Sequence, residues 1–148
     1  MSNFVDGEPS AVIFGCIDTV LTEAEVDLFS SCKPFGLILF EHNCVNPIQL
    51  TDLIVQFKET VGRDDAPILI DQEGGRVTRM KPPHWRQPPP ARIFAKIAKI
   101  DPEAGIRAAY LNARVIGKEL ARVGITVDCL PVLDIPTRGA HEVIGDRA

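Results

Sequence analysis

The fold is decided by residues 67–79, which read Pro67-Ile-Leu-Ile-Asp71-Gln-Glu-Gly-Gly-Arg-Val-Thr-Arg79. A short apolar run ends abruptly at an acid, and a pair of glycines and two arginines follow. Such a run, rich in β-branched residues and bounded by turn residues, is typical of a strand buried on both faces. The glycines permit positive φ angles and a close approach of other backbone. We therefore predict a buried strand over residues 67–70, followed by a loop with a chemical role.

Comparable apolar runs recur along the chain, and helix signals separate them. Strands are predicted over residues 11–17, 36–40, 67–70 and 125–133. N-cap residues predict three helices, which begin after Thr22, Asn46 and Asp101. The resulting order, βαβαβ, loop, α, β, is the signature of a parallel sheet with helical crossovers, and it predicts the α/β fold class.

The bounds of these helices follow from their caps. Thr22 with Glu25 forms a capping box, and Asn46 with Gln49 predicts a second box ahead of a helix that stops at Gly62. The long helix after Asp101 is predicted to stop at Gly124. It should bury one apolar face, made of Ile106, Tyr110, Ala113, Ile116 and Leu120.

A proline-rich segment interrupts the pattern at residues 81–90, where five prolines surround Trp85. Such a composition suits a linker or a ligand of SH3-type domains. Because the segment is short and lies inside the alternating pattern, we predict a stiff surface loop instead.

Composition excludes several classes of function. The 148 residues are 45% apolar and 24% charged with a net charge of −4, which argues against a nucleic-acid or anionic-membrane surface. No apolar run is long enough to span a membrane, and the N-terminus lacks the features of a secretory signal. The four cysteines show no C-x-x-C spacing, so we expect buried free thiols in a reducing, cytoplasmic location, with no metal or cofactor.

Polar side chains follow the predicted strands at Asp18, at Glu41 with His42, at Asp71 and at Asp134. The carboxyl ends of parallel strands lie at one edge of the sheet, where α/β proteins build their sites. These groups therefore predict a polar pocket. The alternative is that each Asp only caps the turn that follows it.

The loop after residue 70 favours an uncharged, hydroxyl-rich ligand. Asp71 accepts hydrogen bonds from hydroxyls, and the guanidinium fork of Arg79 donates to oxygen atoms. The loop lacks the lysine of a P-loop and the spacing of a dinucleotide fingerprint, and its leading acid would repel phosphate. A neutral polyol fits it better.

These residues resemble the signature loop of glycoside hydrolase family 3, in particular its bacterial β-N-acetylglucosaminidase (β-N-acetylhexosaminidase) branch. Three further stretches are similar to that branch in order and spacing. They are Gly36-Leu-Ile-Leu-Phe40 with Asn43, Gly124-Ile-Thr-Val-Asp-Cys-Leu-Pro-Val-Leu-Asp134 and Ile144-Gly-Asp-Arg147. The resemblance covers nearly all of the chain from about residue 10.

The resemblance implies a function and a set of site residues. It implies the N-terminal half of a (β/α)₈ barrel, incomplete in 148 residues because such a barrel needs about 200 or more. It implies a saccharide that contains N-acetylglucosamine as the partner, in cell-wall recycling. Asp71, Arg79 and Arg147 take the positions of the family's sugar-binding residues.

The family's catalytic histidine and its nucleophilic aspartate come after the Ile-Gly-x-Arg element, so we expect both to lie beyond residue 148. His42, His84 and His141 do not replace them. Retaining hydrolysis needs a carboxylate nucleophile and a proton donor. The chain as written is therefore expected to hold sugar-contact residues and to be inactive by itself.

Three hypotheses follow for the chain. It is the N-terminal part of an N-acetylhexosaminidase, a non-catalytic sugar-binding or assembly module that a second chain completes, or an unrelated α/β domain with a convergent loop. A barrel with only four of its eight strands leaves open strand edges. We expect either a dimer that closes the gap or a loosely packed, aggregation-prone monomer.

Overall fold

The computed structural model describes residues 8–135, 137, 139 and 142–148. The start of the N-terminus and His141 lie outside the described residues. Within them, four strands form one parallel sheet in the order β1-β2-β3-β4. The strands are β1 (Ser10–Phe14), β2 (Pro34–Leu39), β3 (Ile68–Ile70) and β4 (Val127–Asp128). The helices are α1 (Glu23–Cys32), α2 (Pro47–Val61), α3 (Ala91–Ile100) and α4 (Pro102–Arg122).

This arrangement confirms the predicted fold class. Strands that are adjacent in sequence are adjacent in the sheet, all are parallel, and helices connect them, as in the N-terminal half of a (β/α)₈ barrel. No helix within the described residues combines the length and the apolar character needed to cross a bilayer.

One face of the sheet forms the core. Leu37 pairs with Ile68 and Leu39 with Ile70, and all four side chains are fully buried. They belong to one apolar cluster that includes Phe57 of α2. The opposite face is more open, because Ile13 of β1 is 41% exposed and Val127 of β4 is 38% exposed.

The helix starts follow the predicted caps with one difference. Thr22 and Glu25 form the reciprocal capping box of α1, and Asn46 Oδ1 accepts from the first backbone N–H groups of α2. Gln49 does not complete a box with Asn46, so that part of the prediction is wrong. Its Oε1 accepts from the N–H of Val45 instead, and its Nε2 donates to the carbonyls of Thr19 and Asn43.

The apolar face predicted for the long helix is buried only in its second half. Ile116 and Leu120 are buried, whereas Ile106 is 71% exposed and Tyr110 is 63% exposed. The cause is α3, a helix that was not predicted. It packs against α4 at Gly105, where an added Cβ would collide with Ala98, so small residues face the neighbour and the larger ones face outward.

The last strand is shorter than predicted, and this changes which carboxylate lies at its end. The ladder ends at Ile70, the last residue of β3, whose carbonyl accepts from the N–H of Cys129 at 2.8 Å. Beyond that point Pro131 has no N–H to continue pairing. The strand-end acid is therefore Asp128, and Asp134 lies further along in exposed, irregular chain.

Candidate functional site

The loop after β3 is closed by a buried glutamine. Gln72 is 2% exposed, and its Oε1 accepts from the N–H groups of Arg79 and Met80 at 2.8 and 3.1 Å. Its Nε2 donates to the carbonyl of Met80 at 3.0 Å. These bonds satisfy a buried amide and bring the end of the loop back to its beginning. Arg79 is thereby placed beside Asp71, although seven residues separate them in the sequence.

The two glycines let the proline-rich segment back the loop. Gly74 and Gly75 have φ angles of +99° and +59°, which L side chains rarely adopt. The N–H of Gly75 donates to the carbonyl of Pro88 at 2.8 Å, and a Cβ at Gly74 would collide with the carbonyl of Pro89. Pro88 and Pro89 therefore pack against the loop after β3, and this close contact requires glycine at residue 74.

Asp71 and Arg79 form an ion pair at this edge of the sheet. Arg79 Nη2 lies 2.8 Å from Asp71 Oδ2, and each side chain is about a quarter exposed. The guanidinium carbon lies 5.9 Å from the ring centroid of Phe40, a residue that directly follows β2. Within the described residues, Arg79 Nε is buried without a hydrogen-bond partner. The pair is accessible, so a ligand would meet its exposed atoms and not the buried Nε.

Arg147 is held by Glu73 of the same loop. Its Nε donates to Glu73 Oε2 at 2.8 Å and its Nη2 to Oε1 at 2.7 Å, a bidentate geometry. The hydrogen-bonded Glu73 carboxylate raises the pKa of Arg147, although partial burial opposes this, and Asp71 adds to the rise. Glu73 was missed by sequence reasoning, because a bond across 74 residues leaves no local pattern.

Asp128 is a second acid that sequence reasoning missed. Its Oδ1 accepts from the N–H of Gln72 at 3.0 Å, while its Oδ2 is buried without a hydrogen-bond partner among the described residues. Burial raises the pKa of Asp128 to about 6; the Gln72 N–H opposes this rise, and the Asp71 and Glu73 carboxylates add to it. Three carboxyl groups therefore lie close together at the ends of β3 and β4.

The thiol of Cys129, which follows Asp128, is influenced by the same carboxylates. Partial covering of the sulfur raises the pKa of the Cys129 thiol, and the charge of the nearby Asp71 carboxylate raises it further. All four cysteines are free, but only Cys16 is fully buried, so the expectation of buried thiols is wrong for the exposed Cys129. In the described part of the chain, no group of three His, Cys, Asp or Glu side chains has the geometry to hold a metal ion.

The other predicted strand-end groups have local roles. Asp18 is exposed, and its Oδ1 accepts from the N–H of Thr19 at 2.7 Å, which is the turn-capping alternative. Glu41 pairs with Lys81 at 2.6 Å, and that hydrogen bond lowers the pKa of Glu41. His42 Nε2 lies 3.1 Å from the carbonyl oxygen of Cys16. The chemistry of this edge is therefore concentrated in the loop after β3, where hydroxyls would find both acceptors and donors.

Comparison with known proteins identifies what this arrangement is similar to. Residues 17–148 match the family model described as "Glycosyl hydrolase family 3 N terminal domain". The chain is 39% identical over 119 residues to a beta-hexosaminidase of Methylococcus capsulatus, which covers 79% of this chain and 34% of that protein. It is 33% identical over 139 residues to a beta-hexosaminidase of Xylella fastidiosa, which covers 93% and 40%.

A solved structure shares the fold. NagZ from Neisseria gonorrhoeae, crystallised in complex with N-trifluoroacetyl-D-glucosamine, matches with a TM-score of 0.86 at 32% identity. The match covers 94% of this chain and 40% of NagZ. The chain therefore spans between 34% and 40% of the length of these relatives.

Proposed function

The chain belongs to glycosyl hydrolase family 3, and from that membership we propose that it is the N-terminal part of a glycosidase that hydrolyses terminal β-linked N-acetylglucosamine. Residues 1–148 would then form part of that enzyme's barrel domain. The observation that supports this best is the Asp71–Arg79 pair, 2.8 Å apart and accessible at the carboxyl edge of the sheet. Relatives that are named beta-hexosaminidases, and a structural neighbour that binds an N-acylated glucosamine, support the choice of sugar.

The proposed binding residues have complementary roles. A terminal sugar presents adjacent hydroxyls, each of which donates one hydrogen bond and accepts others. Asp71 accepts from two such hydroxyls, and Arg79 and Arg147 donate to their oxygen atoms. Hydrogen bonds to charged groups contribute about 1.5–3 kcal/mol each, so a few such contacts suffice to hold one sugar ring.

We propose that the chain binds sugar but does not hydrolyse it unaided. A nucleophilic carboxylate must be free to attack, yet Asp71 is bonded to Arg79 and Glu73 to Arg147. Asp128 has one oxygen buried and the other bonded to the backbone. None of these three suits attack, so the nucleophile and the acid/base would come from polypeptide beyond residue 148.

We propose a cytoplasmic role in cell-wall recycling, in which the substrate is a saccharide released from peptidoglycan. Free cysteines are typical of a reducing compartment, and all four of this chain are free. The net charge of −4 suits a small uncharged saccharide better than a polyanion.

A chimeric enzyme tests the proposal. Residues 17–148 replace the matching segment of the Methylococcus capsulatus beta-hexosaminidase, and kcat/KM is measured on an aryl β-N-acetylglucosaminide. We expect activity, and Asp71→Ala should lower kcat/KM on the order of 100-fold, since about 3 kcal/mol is lost when a charged acceptor is removed and its arginine is left unpaired.

Asp52→Ala, which removes an exposed carboxylate from α2, is the matched control and should leave kcat/KM unchanged. A folded chimera with no activity, or an Asp71→Ala chimera as active as its parent, would contradict the proposal. The isolated 148-residue chain is assayed in parallel and should show no turnover above background.

The second candidate is a non-catalytic sugar-binding or assembly module that another chain completes. The observation that favours it is the partly exposed apolar face of the sheet at Ile13 and Val127. Sedimentation velocity of the isolated chain separates the two. A stable dimer that binds N-acetylglucosamine favours the module, whereas self-association to heterogeneous species favours a part of a larger enzyme.

A further inference from the structure

The geometry points to Glu73 as the residue that positions Arg147, with Arg76 fastening the turn from which Arg147 projects. The identity of the ligand rests on the function proposed above, but the positioning of Arg147 does not. Glu73 is thereby assigned a role different from that of Asp71: it orients a binding residue and does not itself meet the saccharide.

The contacts of Glu73 support its role in positioning Arg147. Both carboxylate oxygens receive a bond from Arg147, at 2.7 and 2.8 Å, and the Glu73 side chain is only 6% exposed. Among the described residues, the pair uses Nε and Nη2 of a guanidinium with five N–H donors. The described residues bond none of the Nη1 donors, so the bond to Glu73 fixes the plane of the guanidinium and leaves donors for a ligand.

The turn at residues 144–147 is held by two further arginines. Arg76 Nη2 donates to the carbonyls of Val143 and Ile144, and Arg76 Nε lies 3.3 Å from Asp146 Oδ1. Arg92 of α3 donates to the carbonyl of Gly145. Consecutive peptide groups of the turn are therefore bonded to side chains from the loop after β3 and from α3.

Charge balance explains why an acid stands at residue 73. Asp71 and Glu73 face Arg79 and Arg147, so two negative and two positive groups share this end of the sheet. Removing the Glu73 charge leaves the Arg147 guanidinium without its partner and free to turn toward Asp71. The Asp71 carboxylate already attracts it electrostatically and contributes to its raised pKa. We therefore expect Arg147 to lose its orientation while the Asp71–Arg79 pair stays in place.

The experiment observes the arginine side chains of the 148-residue chain by ¹H–¹⁵N NMR. The Nε–H signals of Arg79 and Arg147 are assigned from Arg79→Lys and Arg147→Lys. In Glu73→Ala, the Arg147 signal should move to the position of a solvent-exposed arginine with faster hydrogen exchange. The Arg79 signal should stay near its original position.

Glu73→Gln provides a milder variant, because it keeps the volume and one acceptor. It should restore part of the Arg147 shift, and it replaces Glu73→Ala if that protein loses its dispersed backbone spectrum. Glu59→Ala, an exposed acid on α2, is the control and should change neither signal. An unchanged Arg147 signal in folded Glu73→Ala or Glu73→Gln would overturn the inference.

Titration with N-acetylglucosamine then links the pair to the ligand. In the unmodified chain the sugar should move both arginine signals, and in Glu73→Gln the Arg147 response should fall several-fold while the Arg79 response persists. Equal responses in both proteins would refute the positioning role. If neither signal moves in the unmodified chain, the proposed function fails, and the variants without sugar still decide the role of Glu73.

Discussion

Replacing Asp128 by Asn should make the protein more stable at neutral pH. Asp128 Oδ1 accepts from the N–H of Gln72, an acceptor that Asn keeps. Its Oδ2 is buried without a hydrogen-bond partner among the described residues and lies in the field of Asp71 and Glu73. An amide NH₂ at that place offers donors to a site rich in carboxylates and removes the charge that the site disfavours.

The magnitude follows from the pKa of Asp128, which burial raises from 3.8 to about 6. The folded chain therefore holds this proton at a pH where the unfolded chain has lost it. The stability that comes from this bound proton is complete below pH 3.8, the pKa of Asp128 in the unfolded chain. It is lost as the pH rises through about 6, its pKa in the folded chain. Two pKa units correspond to about 3 kcal/mol, and solvent at this partly exposed group reduces the expected loss to about 1–2 kcal/mol.

The assay is urea unfolding of the chain and of Asp128→Asn at a series of pH values from about 4 to about 7.5. The stability of the variant relative to the unmodified chain should rise by about 1–2 kcal/mol across that range. Asp52→Asn, at an exposed position on α2, should show no such rise. A difference between Asp128→Asn and the unmodified chain that does not change with pH would refute the account of Asp128 as a disfavoured charge.

Two further substitutions test the local structure by thermal and urea unfolding. Asn46→Ala removes the side-chain cap of α2 and should lower the free energy of unfolding by about 1 kcal/mol, whereas Asp52→Ala on the same helix should change it little. Gly74→Ala should destabilise by about 2 kcal/mol or more, because φ is +99° and the new Cβ would collide with Pro89. Gly117→Ala, in open space within α4, should instead stabilise by about 0.5–1 kcal/mol; equal effects at the two glycines would contradict this reasoning.

The parts of the fold that were predictable from the sequence are those with local causes. Thr22 with Glu25 is a contact between residues three positions apart, and Asn46 caps its own helix. The strand over residues 67–70 shows as an uninterrupted apolar run, and in the structure Ile68 and Ile70 are fully buried while Leu69, on the more open face, is half-buried. Such features depend on neighbours in the chain, and sequence patterns report them directly.

The missed features depend on residues that are far apart. Helix α3 follows Pro90 without a side-chain cap, so no start signal marked it. The short β4 is limited by its partner strand, which ends at Ile70. Glu73 and Asp128 became members of the site only because folding brings Arg147 and Gln72 to them. The family resemblance supplied Arg147 as a site residue, but no local pattern indicated the residues that hold it.

The Asp71–Arg79 and Glu73–Arg147 ion pairs differ in how exposed their carboxylates are, and this difference suggests different roles for Asp71 and Glu73. Asp71 and Arg79 are both accessible, so we expect a ligand hydroxyl to bind there without breaking the pair. Glu73 is almost fully covered, and a ligand that reached it would first have to open its bidentate bond with Arg147. A saccharide is therefore expected to meet Asp71, Arg79 and the remaining donors of Arg147. Because the paired charges cancel and Asp128 adds a negative charge near neutral pH, we expect this edge to disfavour phosphate and carboxylate ligands and to suit an uncharged sugar.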